Sequence, residues 1–274
     1  MGTLYVVGTP IGNLEDITLR ALRVLREVRL IAAEDTRRAR TLLSHFEIKT
    51  PLTSYFEHSG AGKREAVLAA LAEGDVALIS EAGMPGLSDP GYDLIRAAIE
   101  REIPVVPVPG PAAAICALVV SGLPTDSFVF VGFLPRRGSE RRHALEEKTA
   151  RDERTLVFYE APHRLLDSLG DMLAVLGDRR VALARELTKV HEEVYRGRLS
   201  EAIAHFTEAG QRGEFTVVVE GATQAQAPAI AEEEVLALAR SLVEGGLSAR
   251  DAAAEAARRS GWARKAVYEL LHRE

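Results

Sequence analysis

The stretch that most constrains this chain is residues 80–91, SEAGMPGLSDPG. It follows the apolar run Val76–Ile79, which reads as a buried strand, and it precedes a helical pattern that begins near Tyr92. A plain strand-to-helix connection needs only a few residues. Here twelve residues hold three glycines, two prolines, two acids and two serines. Such a loop at the carboxyl end of a strand describes a backbone shaped to approach a ligand.

The same arrangement recurs on either side. Leu4–Val7 is a short β-branched run that ends in Gly8-Thr9-Pro10-Ile11-Gly12-Asn13, and a helix follows with Leu19, Leu22 and Leu25 on one face. Leu30–Ala33 predicts a second strand, running into Glu34-Asp35-Thr36-Arg37-Arg38 and a helix to about His45. Residues 51–55 predict a third, with Phe56-Glu57-His58-Ser59-Gly60 after it and a helix over 63–73. A strand over 104–106 leads into Pro107-Val108-Pro109-Gly110-Pro111 and three alanines, Ala112, Ala113 and Ala114, that open an apolar helix. A further strand is expected over 128–131. Alternating strands and helices predict a mostly parallel α/β sheet, whose carboxyl edge is where ligands sit. The spacing is neither G-x-G-x-x-G nor a lysine-bearing phosphate loop, so no generic nucleotide cradle is indicated.

Residues 132–139, GFLPRRGS, have the composition of a linker. A second α/β unit follows, with strands over 155–159, 180–184 and 215–219, a short strand or turn over 192–196, and helices over 140–150 and 199–208. Residues 222–231, ATQAQAPAIA, read as another linker. Three helical patterns then cover 232–244, 248–259 and 263–272, with Ser248 a candidate N-cap, and they suit either a helix-turn-helix or a helical cap on a neighbour. The expected domains are therefore 1–132, 133–221 and a tail over 222–274.

Composition narrows the function classes. The chain of 274 residues is 47% hydrophobic and 27% charged, a balance that builds a sizeable core. Its net charge of -6 argues against a general polyanion binder such as a DNA-coating protein, although arginines cluster locally at Arg37, Arg38 and Arg40 and at Arg136, Arg137, Arg141 and Arg142. The single cysteine, Cys116, excludes an intrachain disulfide or a cysteine metal cluster. No apolar run reaches the ~18 residues of a membrane span, and the first residues lack signal-peptide character. A cytoplasmic setting is expected, with no membrane partner and no metal.

Taken in order, GTPIGNLEDIT, AEDTRRARTLL, SEAGMPGLSDPG, VPVPGPAAAICAL, SGLPTDSFVFVGFLP, FYEAPHRL, ARELTKVHEE and GEFTVVVEG form a specific signature. Over residues 4–221 the chain resembles the ribosomal RNA small subunit methyltransferase I branch of the tetrapyrrole-methylase-like superfamily, and its tail resembles the helix-turn-helix extension of that branch. The resemblance implies the two-domain α/β fold of class III methyltransferases with a C-terminal helical extension. It also implies S-adenosylmethionine held in the cleft between the domains and a homodimer. The implied activity is 2′-O-methylation of a cytidine in the decoding region of 16S ribosomal RNA, in free RNA or a 30S particle. Where the family more often has Asp-Ala-Gly-Thr-Pro, this chain has Glu81-Ala82-Gly83-Met84-Pro85, and Ala112, Ala113 and Ala114 stand where superfamily members often carry a serine.

On that basis Pro10, Gly12, Glu81, Gly83, Met84, Pro85, Ala113 and Ala114 are expected around the cofactor, with Phe133, Tyr159, Phe215 and Thr216 lining its second side. Methyl transfer from a sulfonium is an in-line displacement in which the protein chiefly positions the reactants. A ribose hydroxyl is a poor nucleophile, so a base within hydrogen-bond reach is expected. The candidates are Glu34, Asp35, His58, Glu186 and Lys189. Asp35 is equally readable as a helix N-cap, Glu186 and Lys189 as an ion pair, and Lys189 needs a depressed pKa to serve. Arg37, Arg38, Arg136, Arg137, Arg141 and Arg142 are the expected phosphate contacts. Two alternatives stay open: a methyltransferase of a small tetrapyrrole-like acceptor, and a non-catalytic RNA-binding module.

Overall fold

The computed structural model describes residues 2–56, 61–222, 231–260, 262 and 264–272. The candidate base His58 lies outside them, as does the expected linker from 223 to 230. In chain order the elements are β1 (Leu4–Val7), α1 (Leu19–Glu27), β2 (Leu30–Ala33), α2 (Thr36–His45), β3 (Leu52–Ser54), α3 (Ala61–Glu73), β4 (Val76–Ile79), α4 (Tyr92–Glu100), β5 (Val105–Val108) and α5 (Ala113–Ser121). Then come β6 (Phe128–Phe133), α6 (Gly138–Lys148), β7 (Thr155–Glu160), α7 (Leu165–Leu176), β8 (Arg180–Arg185), β9 (Glu193–Arg198), α8 (Leu199–Ala209) and β10 (Phe215–Val219). The tail holds α9 (Glu232–Glu244), α10 (Ala249–Ser260) and α11 (Arg264–Leu271).

The first sheet is parallel throughout, in the order β3-β2-β4-β1-β5. Both faces are covered, which is why its strands are near-continuous apolar runs. Val7, Ile31, Ile79 and Val108 pack on one face against Val24, Leu25 and Leu43 of α1 and α2. Leu4, Ala32, Val76 and Leu78 pack on the other against Leu68, Leu71 and Leu94 of α3 and α4. Each fully buried leucine here contributes about 2 kcal/mol relative to exposure.

The second sheet is mixed, in the order β6-β7-β10-β8-β9. Only β6 and β7 run parallel; β10 is antiparallel to β7 and β8, and β8 to β9. The expected linker over 132–139 is corrected by β6. Gly132 and Phe133 continue that strand, paired with Phe158 and Tyr159 across a bulge, and α6 already begins at Gly138. The boundary drawn at 132/133 thus falls inside a strand, and sheet membership changes between α5 and β6. Gly132 takes a φ of 74°, a backbone state open to glycine, which lets the strand bend without breaking. Helix α5 crosses to the second sheet, packing Ala114, Ala117 and Leu118 on Val157, Ala182 and Val218.

The tail is a small three-helix unit built on Val235, Ala239, Ala253, Ala256 and Val267. Ser248 accepts from the Asp251 amide at 3.1 Å, as an N-cap should.

Candidate active site

Three loops of the first sheet are joined backbone to backbone. Thr9 and Gly83 form an isolated antiparallel bridge, with Thr9 N–H donating to the Gly83 carbonyl at 2.9 Å and Gly83 N–H to the Thr9 carbonyl at 3.1 Å. Gly83 needs its φ of 82° to do this. Gly8 meets Gly110 so closely that a Cβ on Gly8 would stand 2.7 Å from the Gly110 Cα. Any side chain at either position would part the loops after β1 and β5. The Gly/Pro richness of these loops therefore serves loop-to-loop contact as well as approach to a ligand.

Beside this junction lies a cavity of about 440 Å³ between the two sheets. The first sheet contributes Ile11, then Ala82, Gly83, Met84, Leu87, Ser88 and Asp89, then Ala112 and Ala113. The second contributes Phe133 from β6, Tyr159 and Glu160 from β7 with Ala161, Pro162 and His163 after it, Ala184, Leu187 and Lys189 from β8 and its turn, and Glu214, Phe215 and Thr216 at the start of β10. Of the expected cofactor residues, Gly83, Met84, Ala113, Phe133, Tyr159, Phe215 and Thr216 line it.

The others sit elsewhere. Pro85 is buried beneath the loop, and Ala114, one step behind the wall, donates its N–H to the Tyr159 hydroxyl at 3.2 Å. Pro10 lies off the cavity, and Gly12 packs on the turn after β8, where a Cβ would stand 2.5 Å from Lys189 Cγ. Glu81 is turned outward, paired with Arg38 at 2.7 Å, and its N–H reaches Glu34 Oε2 at 3.3 Å. Its expected cofactor contact is therefore corrected: the carboxylate is spent on an arginine at the surface.

The four candidate bases among the described residues are not gathered at one point. Asp35 caps α2, accepting the Arg37 amide at 2.7 Å, and the Arg37 side chain and amide hold its carboxyl down at about 2. Glu34 lies outside the cavity lining beside Glu81. Lys189 reaches the cavity but pairs with Glu186 at 2.8 Å and Glu214 at 2.9 Å. Burial works to lower its pKa, yet those two carboxylates outweigh burial and raise it. This corrects the depressed pKa that a lysine base requires. Burial likewise pushes the Glu186 carboxyl up, but Lys189 and the Glu214 amide overcome it and leave it below its ordinary value. Glu186 is a brace for its turn, which carries left-handed backbone at Glu186 and Thr188, with φ of 50° and 68°.

The arginines divide as well. Arg141 is 5% exposed, its Nε 2.6 Å from Asp171, and Arg142 reaches the same carboxylate at 2.9 Å. Arg141 therefore ties α6 to α7 and is not presented to a phosphate, a correction that follows from its place on the inward face of α6. Arg37 and Arg137 are exposed but paired with Asp35 and Glu140, while Arg136 is exposed.

Sequence reasoning missed Asp89, Glu160, the Ala161-Pro162-His163 turn and Leu187. Glu160 is buried at the end of β7, accepting from the Ala161 amide at 2.8 Å and from the Ser168 hydroxyl, with Arg164 Nε 3.4 Å away. Arg164 in turn donates to the carbonyls of Leu134 and Pro135. The network fixes the turn that carries His163 to the loop that follows Phe133. Asp89 had a signal: it is the second acid of the 80–91 loop, set between serine and proline. Among the described residues no His, Cys, Asp and Glu are grouped to hold a metal, and no described helix is long and apolar enough to cross a membrane.

Comparison with known proteins agrees with this architecture. The family model for tetrapyrrole (corrin/porphyrin) methylases matches residues 3–203, and the RsmI C-terminal HTH domain matches residues 229–274. Proteins named ribosomal RNA small subunit methyltransferase I are similar over nearly the whole chain. The one from Halalkalibacterium halodurans is 48% identical over 100% of this chain and 96% of its own length. The one from Escherichia coli O157:H7 is 48% identical over 98% and 94%. Among solved structures, uroporphyrin-III-C-methyltransferase from Thermus thermophilus superposes with a TM-score of 0.58 at 24% identity, covering 80% of this chain and 94% of that one.

Proposed function

Because the chain belongs to the tetrapyrrole methylase family, and within it to the branch of the small-subunit ribosomal RNA methyltransferases I, we propose that it moves a methyl group from S-adenosylmethionine to the 2′-hydroxyl of a cytidine in small-subunit ribosomal RNA. The observation that carries the reading is the mouth of the cavity. Phe133 and Leu87 are each 53% exposed on its rim, and His163 is exposed beside them. Exposed aromatic and apolar groups at a pocket entrance suit an unstacked base, since RNA is read sequence-specifically where bases are splayed out and stacked on such side chains.

The cavity fits the methyl donor. Its volume of about 440 Å³ lies in the range of small-molecule sites. Ala112 and Ala113 leave a wall without bulk, and Gly83, fixed by its bridge to Thr9, lines the cavity without a side chain. Ala112, Ala113, Gly83, Met84 and Tyr159 would hold the donor, and Ile11 and Leu187 would shield it from water. When bound, the donor supplies a methyl group already activated on a positive sulfur. The chain's own task is then to hold donor and hydroxyl in line and to remove one proton.

The remaining parts of the reading follow from surface features. The outer face of α5 exposes Ile115 and Val119, apolar surface that a second copy would cover in a homodimer. The tail lies beyond residues 3–203, which match the tetrapyrrole methylase family, and is matched by a separate HTH domain over 229–274, as an RNA-directed module would be. The protein would act in the cytoplasm, on free RNA or on a small-subunit particle.

The test is incubation of the purified protein with S-adenosylmethionine and small-subunit particles, and separately with a tetrapyrrole acceptor. Label is expected in the RNA alone. Label in the tetrapyrrole alone would replace this reading with that of a small-molecule methyltransferase.

A further inference from the structure

We propose that Arg180, Arg196 and Arg198 form a phosphodiester-binding cleft that anchors the substrate RNA outside the cavity. The inference rests on the RNA-methylation reading above and names a second surface for the same substrate.

The surroundings of the cavity leave this need open. Asp89, Glu160 and Glu214 line it, and Glu34 and Glu81 lie beside it. The arginines expected to hold phosphates are largely taken: Arg37 by Asp35, Arg38 by Glu81, Arg137 by Glu140, and Arg141 and Arg142 by Asp171. In a chain of net charge -6, an RNA backbone is held where positive charge is left uncompensated.

The second sheet has such a place. Arg180 opens β8 and lies opposite Arg198 of β9, and Arg196 lies opposite Ala182. Residues two apart on a strand share a face, so the three arginines stand together on the face that Ala182 turns to α5. Helix α5 ends at Ser121, and Gly122 turns the chain away with a φ of 76°. Past that end lies a cleft of about 400 Å³, lined by the three arginines with Gly122, Leu123 and Glu201. At the rise of a strand, Arg180 is about 13 Å along β8 from Ala184 in the cavity wall.

The guanidinium groups are positioned but not neutralised. Arg196 donates through Nε and Nη2 to the Val120 carbonyl, at 3.0 and 2.5 Å, which ties it to the last turn of α5. Arg198 donates to the Asp178 carbonyl at 2.6 Å. Carbonyls fix a guanidinium without cancelling its charge. The neighbouring carboxylates are otherwise engaged: Asp178 accepts from the Ser200 amide and hydroxyl, and Glu201 from the Arg198 amide. Glu220 stands 3.7 Å from Arg180, beyond hydrogen-bond distance, and the Arg180 side chain is 56% exposed. A guanidinium carries five N–H donors, so each of the three keeps donors free.

The chemistry favours a phosphodiester. The planar fork of an arginine matches two phosphate oxygens at once. A protein segment would want an exposed apolar centre to bury, and the apolar lining here, Leu123 and Val181, is already buried. Phosphate contacts position a nucleic acid without reading its sequence, which leaves the choice of nucleotide to the cavity mouth.

The full-length protein with Arg180→Ala and Arg198→Ala together tests this; Arg196 is kept because it also holds α5. In filter binding, affinity for small-subunit particles is expected to fall ~10-fold or more, and its log–log dependence on salt to become shallower by about 1.4–1.8, the share of two phosphate contacts. In methylation the loss is expected in KM, with kcat changed less than about threefold. Calorimetry is expected to show unaltered S-adenosylmethionine affinity. Protein-free small-subunit RNA should show the same loss as particles, and R180K/R198K should recover part of it, since charge returns without the fork. Arg180→Glu, a single change on an exposed side chain, should weaken RNA binding while thermal unfolding stays as in wild type. Unchanged affinity and salt slope in both R180A/R198A and R180E overturn the site alone. A loss with particles but none with protein-free RNA assigns the cleft to a ribosomal protein and overturns the phosphate assignment. A wild-type protein that binds the donor yet neither binds nor methylates small-subunit RNA overturns the reading beneath it as well.

Discussion

The two sheets reach the cavity by opposite means. The first is built on side chains that are missing: Gly8 and Gly110 touch through their α-carbons, and Gly83 turns through φ 82° to bridge Thr9. The second is built on side chains that are present. At the end of the sheet away from the cavity, Arg179 is 1% exposed and donates to the carbonyls of Leu176, Ala150 and Glu220. Glu160 and Arg164 pin the turns around β7, and Asp171 gathers Arg141 and Arg142. A site edge made of backbone tolerates changes of side chain such as Met84, provided the glycines stay. An edge made of polar pins tolerates extra volume but not the loss of a partner.

The largest effect should come from attacking the backbone edge. Gly8→Ala places a Cβ 2.7 Å from both the Gly110 Cα and the Met84 sulfur. The loops must separate, and calorimetry should show S-adenosylmethionine affinity reduced by ~100-fold or more, a loss of about 3 kcal/mol. Donor binding within threefold of wild type would break the contrast between the two edges.

Arg179→Ala attacks a pin of the second sheet, at the end of β8 and β10 away from the cavity. It removes the donor from one buried and two half-buried carbonyls, and each fully buried loss costs about 1–3 kcal/mol before relaxation. Denaturant unfolding should show destabilisation of about 3 kcal/mol, and an unchanged midpoint would refute the role of the pin.

These contrasts also explain what was legible in the sequence. The parallel character of the first sheet was readable because burial on both faces makes β4 wholly apolar and glycines and prolines mark the loops after β1, β4 and β5. The second sheet was harder. β6 hides its bulge at Gly132 inside a stretch that reads as a linker, since glycine and proline have the same composition in a bent strand as in a connection. Arg141 looked like part of a basic cluster because charge is visible in a sequence and its partner, Asp171, is thirty residues away. Lys189 and Glu186 were readable as a pair, but Glu214 joins them only through β10. Asp89 was in plain view, yet its raised pKa arises from burial and from Glu34, a residue on another strand's loop.

Two smaller effects sharpen the comparison. Phe133→Ala removes an exposed ring from the rim. Filter binding should show RNA affinity lowered by about 1–2 kcal/mol, the scale of one base–aromatic stack, with donor affinity unchanged. An equal loss in donor affinity would place Phe133 at the cofactor instead. Gly170, exposed inside α7, has nothing within 4 Å of the Cβ it lacks. Gly170→Ala should raise stability by about 0.5–1 kcal/mol in thermal unfolding, as a helix-interior glycine allows. A destabilised variant would show that glycines matter structurally in the second unit too.

The central claim, a ribose methyltransferase acting on small-subunit RNA, is tested most directly by mapping 2′-O-methyl groups. Small-subunit particles from cells lacking this protein would be mapped at nucleotide resolution before and after treatment with the purified enzyme and S-adenosylmethionine. The expected result is one new mark, on a cytidine ribose of the decoding region. Methylation confined to a base, or no new mark from a protein that binds the donor, would contradict it.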